Sequence, residues 1–411
     1  MFEREVVLDE RAGQQSHLSS ARHGGFRKTL GVLAAGAVFM AGAFGLPAAH
    51  AAELALNYQV LYTFTGGNDG GWPAGNLIAD KQGNLYGMTS VGGPNGAGTV
   101  FKLAPDGTES VIYHFNGADG NLPMAGLLAD AAGNFYGVTE IGGKYGAGNV
   151  FRVTPDGVYT SLYDFGASNV DGFNPVCQLV WGPHGELVGT TVNGGTGHLG
   201  TVFSVTLDGK ATILHNFTGM DGEYPPAGVV MDAAGSLYGV THNTSPGSSG
   251  TVYKIDANGV FSVLYTFDNA SGFFTHAALT LDANQNLYGT TQAGGATGYG
   301  NVFKLTPDGT FTALYSFTGG ADGSSPSAQL FLDRKGNLIG TTLAGGNGDN
   351  GTIFSVAPDG TLTTLHSFNG TKGSHSQGGL VRDPAAGVLW LYGTTYAGGS
   401  SGNGVVYRVR R

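Results

Sequence analysis

Cysteine is almost missing from this 411-residue chain: Cys177 stands alone, so no intrachain disulfide can form. Charge is sparse as well, with Asp, Glu, Lys and Arg making up only 12% of the residues. A chain so poor in charge and yet 11% aromatic is not a disordered one, because disorder needs high charge and few aromatic groups. Basic residues are the scarcer sign, 19 against 29 acidic, for a net charge of −10. No basic stripe or arm offsets that acidity, so a phosphate backbone is repelled and nucleic acid is excluded as a partner. Proline numbers only 15 and glycine follows no three-residue period, which excludes collagen. A helical period is absent over any useful length, and beyond residue 52 no apolar run is long enough to cross a bilayer.

The one long apolar run lies near the start. Arg22, Arg27 and Lys28 precede Leu30 to Leu46, then Pro47 and the small-residue site Ala49-His50-Ala51. A basic segment, an apolar middle and an A-x-A site form a Sec-type export signal, expected to be cut after Ala51, with a long basic region ahead of it. Residues 1–51 are therefore read as a signal peptide and 53–411 as the mature domain, exported to the periplasm or beyond. No transmembrane span is expected to remain after cleavage. The mature part carries 14 basic against 25 acidic residues, a net charge of −11.

What is abundant is glycine, 74 residues, and it is arranged. A Leu-Tyr-Gly phrase recurs at Tyr86, Tyr136, Val188, Tyr238, Tyr288, Ile339 and Tyr392. A Gly-Thr-Val-Phe phrase recurs in step at Phe101, Phe151, Phe203, Tyr253, Phe303, Phe354 and Tyr407. A third marker, an aromatic run ending in Phe, gives Phe64, Phe115, Phe165, Phe217, Phe267, Phe317 and Phe368. Three phrases keeping step establish seven units of about 50 residues. Each unit holds four short β-branched and aromatic runs parted by turn chemistry, such as Ala131-Ala132-Gly133 and Thr154-Pro155-Asp156-Gly157 in the second copy. The expected fold is all-β, a seven-bladed β-propeller of four-stranded blades. The last unit lacks a fourth strand, and the first run (about 56–64) has that strand's pattern. The N-terminal strand is therefore expected to complete the C-terminal blade, which removes an open edge.

The repeated phrases Leu127-Leu128-Ala129-Asp130, Gly133-Asn134-Phe135-Tyr136-Gly137 and Gly148-Asn149-Val150-Phe151-Arg152-Val153 resemble those of the GloVer repeat proteins. These form the "choice-of-anchor" tandem-repeat family of exported bacterial proteins, and the resemblance covers about 58–411. Such proteins carry varied C-terminal anchors, whereas Tyr407-Arg408-Val409-Arg410-Arg411 reads as a strand. The family implies fold and export and supplies no reaction. The pattern is also similar to NHL-type propellers, which implies that the strand holding Leu127-Leu128 lines the central channel.

In such a propeller the short Asp-x-x-Gly-Asn and Pro-Asp-Gly turns share one face, and the long Gly-rich loops share the other. Loops on a rigid scaffold carry function, so the loop-rich face is the candidate. Two series vary in every copy there. One follows a Thr present in all seven units: Ser90, Glu140, Val192, His242, Gln292, Leu343 and Tyr396. The other precedes the frequent blade-leading proline: Trp72, Leu122, Asn174, Tyr224, Phe274, Ser325 and His375. Trp72, Tyr224 and Phe274 offer stacking surfaces for a glycan or protein, with Glu140, Gln292, Tyr396 and His375 as polar or aromatic partners.

His242 and His276 are the catalytic candidates, since a general base needs a positioned imidazole, with Glu140 or Glu223 to assist. His114, His215 and His366 read as packing variants of a strand Tyr, and His184 falls on the other face. Asp69, Asp119, Asp171, Asp221 and Asp322 each precede Gly in a blade-leading loop. One carboxylate per loop falls short of a calcium site, so they read as Asx turns and no metal or cofactor is expected. The sequence lacks H-E-x-x-H, G-x-S-x-G, C-x-x-C and P-loop phrases. The expectation is a monomeric exported binding module. The alternatives are a lyase or hydrolase-like enzyme with a channel-mouth His site, and a purely structural envelope protein.

Overall fold

A computed structural model describes residues 57–245, 249–384 and 390–410. The expected export signal lies outside the described residues. Among those residues there are strands and no helix, and no helix is long and apolar enough to cross a membrane.

Seven four-stranded antiparallel sheets follow one another along the chain. Blade 2 is representative: Leu128–Ala129, Phe135–Thr139, Asn149–Val153 and Tyr159–Asp164, paired in that order. The innermost strand is only two residues long, shorter than the five-residue run its sequence suggests. In blade 7, Val381–Arg382, Trp390–Thr395 and Val405–Arg410 are joined by the N-terminal strand Tyr58–Thr63, which pairs with the last strand. The expected closure by the first strand is what the structure has.

Two of the repeated phrases turn out to be halves of one contact. The Phe ending each outer strand meets the aromatic residue in the third strand of the next blade. The seven ring pairs are Phe64–Phe101, Phe115–Phe151, Phe165–Phe203, Phe217–Tyr253, Phe267–Phe303, Phe317–Phe354 and Phe368–Tyr407. Centroids are 5.0 Å apart at Phe165–Phe203 and 5.5 Å at Phe368–Tyr407, and the rings meet edge to face, the favoured aromatic geometry. All these rings are buried. The glycine of the second strand makes room for them: a Cβ on Gly137 would lie 2.7 Å from Phe151 Cζ.

On the short-turn face, Asp80 accepts from the backbone N–H of Gln82 and Asn84 and from the side chains of Asn84 and Tyr86. Asp130, Asp232, Asp282 and Asp333 form similar turns. Burial alone raises a carboxyl such as Asp80, and these hydrogen bonds more than offset it, so its pKa is lowered.

The loop-face aspartates do something different from the expected Asx turn. Asp69, Asp119, Asp171 and Asp322 accept from the strand hydroxyls of Tyr62, Tyr113, Tyr163 and Tyr315. They also reach back to earlier backbone N–H groups, those of Thr65, Asn116, Gly166 and Thr318. They pin each outer strand to the next blade. His215 takes the tyrosine's place, with Nε2 2.9 Å from Asp221. His366 also stands at a tyrosine position, but His114 does not: Tyr113 fills that place in its blade, and His114 is the next residue, on the opposite side of the strand.

Candidate functional site

The loop-face mouth is built by the two variable series, which the fold joins blade by blade. Trp72, Leu122, Asn174, Tyr224, Phe274, Ser325 and His375 all have left-handed backbones, with φ between 53° and 59°. Non-glycine residues rarely hold that conformation, and a ring of seven of them marks a site the fold over-determines. Each is locked by hydrogen bonds. The carbonyl of Trp72 accepts from the N–H of Ser90, and the same bond joins Leu122 to Glu140, Asn174 to Val192, Tyr224 to His242, Phe274 to Gln292 and His375 to Tyr396. In the sixth blade, Ser324–Pro326 is a short strand paired with Leu338–Ala344, which places Ser325 beside Leu343.

Side chains then link neighbouring blades. Trp72, 39% exposed, lies against Tyr396 of the preceding blade, centroids 5.4 Å apart. Phe274 stacks on His242 of the preceding blade at 4.6 Å and 15°. Asn174 donates its carboxamide to the Glu140 carbonyl. His375 is exposed, while Glu140, Tyr224, Gln292 and Tyr396 are half-buried. Ser90 is buried and bonds the Trp72 carbonyl, so that member of the series is structural.

The structure also brings His242 and His276 together, edge to face with centroids 4.7 Å apart. His242 Nδ1 lies 3.0 Å from the Asn243 side-chain oxygen. Burial lowers the His242 pKa, and the Asn243 contact opposes that shift. Burial and the neighbouring His242 push His276 down to about 4, although its surface is open to solvent. Water on that open surface weakens the desolvation, so the downward direction is what bears on the chemistry. Both rings are neutral at neutral pH and able to accept a proton. Glu223 contributes its backbone, hydrogen-bonded to His242, and burial raises the carboxyls of Glu223 and Glu140. Among the described residues no three His, Cys, Asp or Glu side chains gather closely enough to hold a metal ion.

Sequence reasoning missed the channel floor. Asn76 of blade 1 reaches across the axis and donates to Gln178 of blade 3 at 2.7 Å and to Gln329 of blade 6 at 3.2 Å. The Asn76 side-chain oxygen accepts from the Gly379 N–H of blade 7. Gln178 and Gln329 each donate to the carbonyl just ahead of the first strand of the blade before, Leu127 and Leu279. The three amides plug the channel. The other blades hold Gly126, Gly228, Ala278 and Gly379 at this register. A Cβ on Gly126 would lie 3.0 Å from the Gln178 carboxamide carbon, so the small residues make space for the large ones. The signal was a column split between amides and Gly or Ala.

No curated protein matches the chain in sequence. Among solved structures, the chain is similar to the extracellular domain of BT4673 from B. thetaiotaomicron, with a TM-score of 0.56 at 13% identity, covering 85% of this chain and 39% of that one. The chain therefore spans well under half the length of that protein. It is also similar to the BP39L lectin from Burkholderia pseudomallei, with a TM-score of 0.57 at 13% identity, covering 82% of this chain and 96% of the lectin. At such identities the likeness is one of fold. The Gloeobacter/Verrucomicrobia repeat model matches residues 30–242 and 225–411, and the chain belongs to that repeat family.

Proposed function

We propose that the chain is an exported binding module that recognises a glycan through the loop-rich mouth. The observation that carries this reading is the ring of left-handed residues whose side chains form two inter-blade aromatic platforms, Trp72 with Tyr396 and Phe274 with His242. Sugar rings stack on such faces, and Gln292, His375 and Glu140 supply hydrogen-bonding groups around them. The lectin of similar fold is compatible with this reading. The test is a glycan array probed with the purified protein, followed by titration of the glycans retained. Trp72→Ala and Phe274→Ala are each expected to weaken binding at least tenfold. Absence of any retained glycan overturns the reading, as does equal retention by both variants. Loss of a captured protein in the same variants would redirect it to a protein partner.

The contact between His242 and His276 favours a second reading, a lyase or hydrolase-like site at the same mouth. Two neutral imidazoles suit proton abstraction. Under this reading, turnover of a polysaccharide persists at mildly acidic pH, because burial lowers the pKa of both bases. His242→Ala with His276→Ala abolishes that turnover. Under the binding reading alone, no turnover is found in the first place.

A further inference from the structure

The left-handed residues that lead the blades rest on the blade before. The N–H of Trp72 donates to the Asn403 carbonyl of blade 7, that of Asn174 to Ala147 of blade 2, that of Tyr224 to Leu199 of blade 3 and that of His375 to Asn350 of blade 6. The mouth is thus divided into seats, one at each seam, where a leading residue meets the variable residue of the preceding blade. Two seats are aromatic platforms, and the order of the blades fixes where they lie. Trp72 and Tyr396 occupy the closing seam between blades 7 and 1, and Phe274 and His242 the seam between blades 4 and 5. Around the ring, two seams separate the platforms on one side and three on the other, so they lie on opposite sides of the mouth. Midway along the longer arc the seat is polar, with the Asn174 carboxamide donating to the Glu140 carbonyl at 3.2 Å. Even on the channel floor, spanning the axis takes extended amide side chains from blades 1, 3 and 6. The platforms stand on the rim above that floor, so one sugar ring cannot lie on both. Neither variable series contains lysine or arginine, and Glu140 adds a carboxyl, on a chain of net charge −10. A polyanionic ligand finds no counter-charge in these seats.

We infer that the mouth takes an uncharged linear polysaccharide that crosses it, with two separated sugar residues of one strand stacking on Trp72–Tyr396 and on Phe274–His242. The inference rests on the glycan reading above and adds the class of glycan: an interior run of a neutral chain, neither a terminal sugar nor an acidic polymer. Once one platform is engaged, the same strand meets the other at a high effective concentration, so affinity depends on chain length.

The probes are cello-, xylo- and malto-oligosaccharides from disaccharide to octasaccharide, titrated by calorimetry beside oligogalacturonates of the same lengths. In at least one neutral series, affinity is expected to rise at least tenfold from the disaccharide to the longest chain. The oligogalacturonates should show no saturable binding. Stoichiometry should fall from two disaccharides per protein to one long chain per protein. Trp72→Ala and Phe274→Ala should each bring the long chain down to disaccharide affinity and leave a single disaccharide site. A neutral disaccharide bound as tightly as the octasaccharide overturns the inference and leaves the glycan reading standing. So does an acidic series bound more tightly than the neutral ones, or a variant that keeps the full gain with chain length and a native circular dichroism spectrum. Failure of all four series to bind also overturns it, and the glycan array then decides separately whether the broader reading survives.

Discussion

Phe64, just after the N-terminal strand, meets Phe101 of the first blade at 5.1 Å and 68°, the same contact that Phe165 makes with Phe203 inside the ring at 5.0 Å and 67°. The joint that closes the circle is therefore built like the others. Both Phe64 and Phe165 are fully buried. Replacing either by Ala removes a packed ring and leaves a cavity, at a cost of about 3–5 kcal/mol. Phe64→Ala and Phe165→Ala are expected to lower stability by similar amounts in denaturant titrations. A much smaller loss for Phe64→Ala would show that closure is weaker than the internal joints.

The amide plug predicts a second cost. Asn76→Ala leaves the Gln178 and Gln329 oxygens and the Gly379 N–H without their shared partner. Unmade hydrogen bonds of partly buried groups cost about 1–3 kcal/mol in total here, since channel water replaces some of them. Circular dichroism melts should show a lower midpoint with unchanged strand content. An unchanged midpoint would mean that the cross-axis contacts add nothing to stability.

The fold was legible because its markers are obligatory contacts. Phe115 and Phe151 recur in their units because each blade must present both halves of the ring joint. The threonine at the Thr191 position recurs in every unit, and its hydroxyl, 2.8 Å from that of Thr201, clamps the second strand to the third. The mouth was legible for the opposite reason: Trp72 and His242 vary from copy to copy on a scaffold that does not. The partners of those residues were not legible. The stacking of His242 on Phe274 joins adjacent blades through a backbone at φ 59°, and spacing in the chain does not encode it. The reach of Asn76 to Gln178 and Gln329 across the axis depends on ring closure, which no single repeat contains. His114 was misplaced for a simpler reason, since Tyr113 and His114 are adjacent and strand register decides which of them faces the next blade.

Two seams lack the aspartate of the tyrosine–aspartate rule: at Tyr265 it is replaced by Ser271, and between the last two blades both partners change. His366 stands where Tyr62, Tyr113, Tyr163 and Tyr315 stand, and Lys372 replaces the aspartate that would receive it. The His366 ring stacks on Tyr58 at 3.7 Å, and its Nε2 is buried without a partner. Burial and the Lys372 charge push its pKa from 6.5 down to about 4. The unfolded chain therefore takes up this proton at a higher pH than the folded one does. The stability tied to neutral His366 is present above pH 6.5 and is lost as pH falls toward about 4. His366→Tyr with Lys372→Asp restores the hydroxyl–carboxylate pair and is expected to raise stability by about 1 kcal/mol at pH 7. It should also flatten the decline between pH 6.5 and 4, leaving the part due to His215, His242 and His276, whose pKa values burial also lowers; melts across that range would detect the change.

Glu109 gives the opposite sign at another seam. Four of the other copies carry Tyr58, Tyr159, Phe261 or Phe311 at its position, and those rings stack on the preceding blade; the remaining two carry Ala211 and Leu362. Glu109 Oε1 is buried and has no hydrogen-bond partner. Burial first, and the Asp69 charge second, raise the carboxyl from 4.5 to about 7. The folded protein holds this proton where the unfolded chain has released it. The contribution is thus fully present below pH 4.5 and is lost as pH rises through about 7. Glu109→Gln keeps the shape and removes the titration. The variant and the parent should melt together at pH 4, and the variant should gain steadily on the parent up to pH 8. Water reaching this half-buried group limits the size of the gain, so its growth with pH is the diagnostic. Parallel melting curves at every pH would show that Glu109 ionises in the folded protein as freely as in the unfolded one, with water rather than protein around its carboxylate.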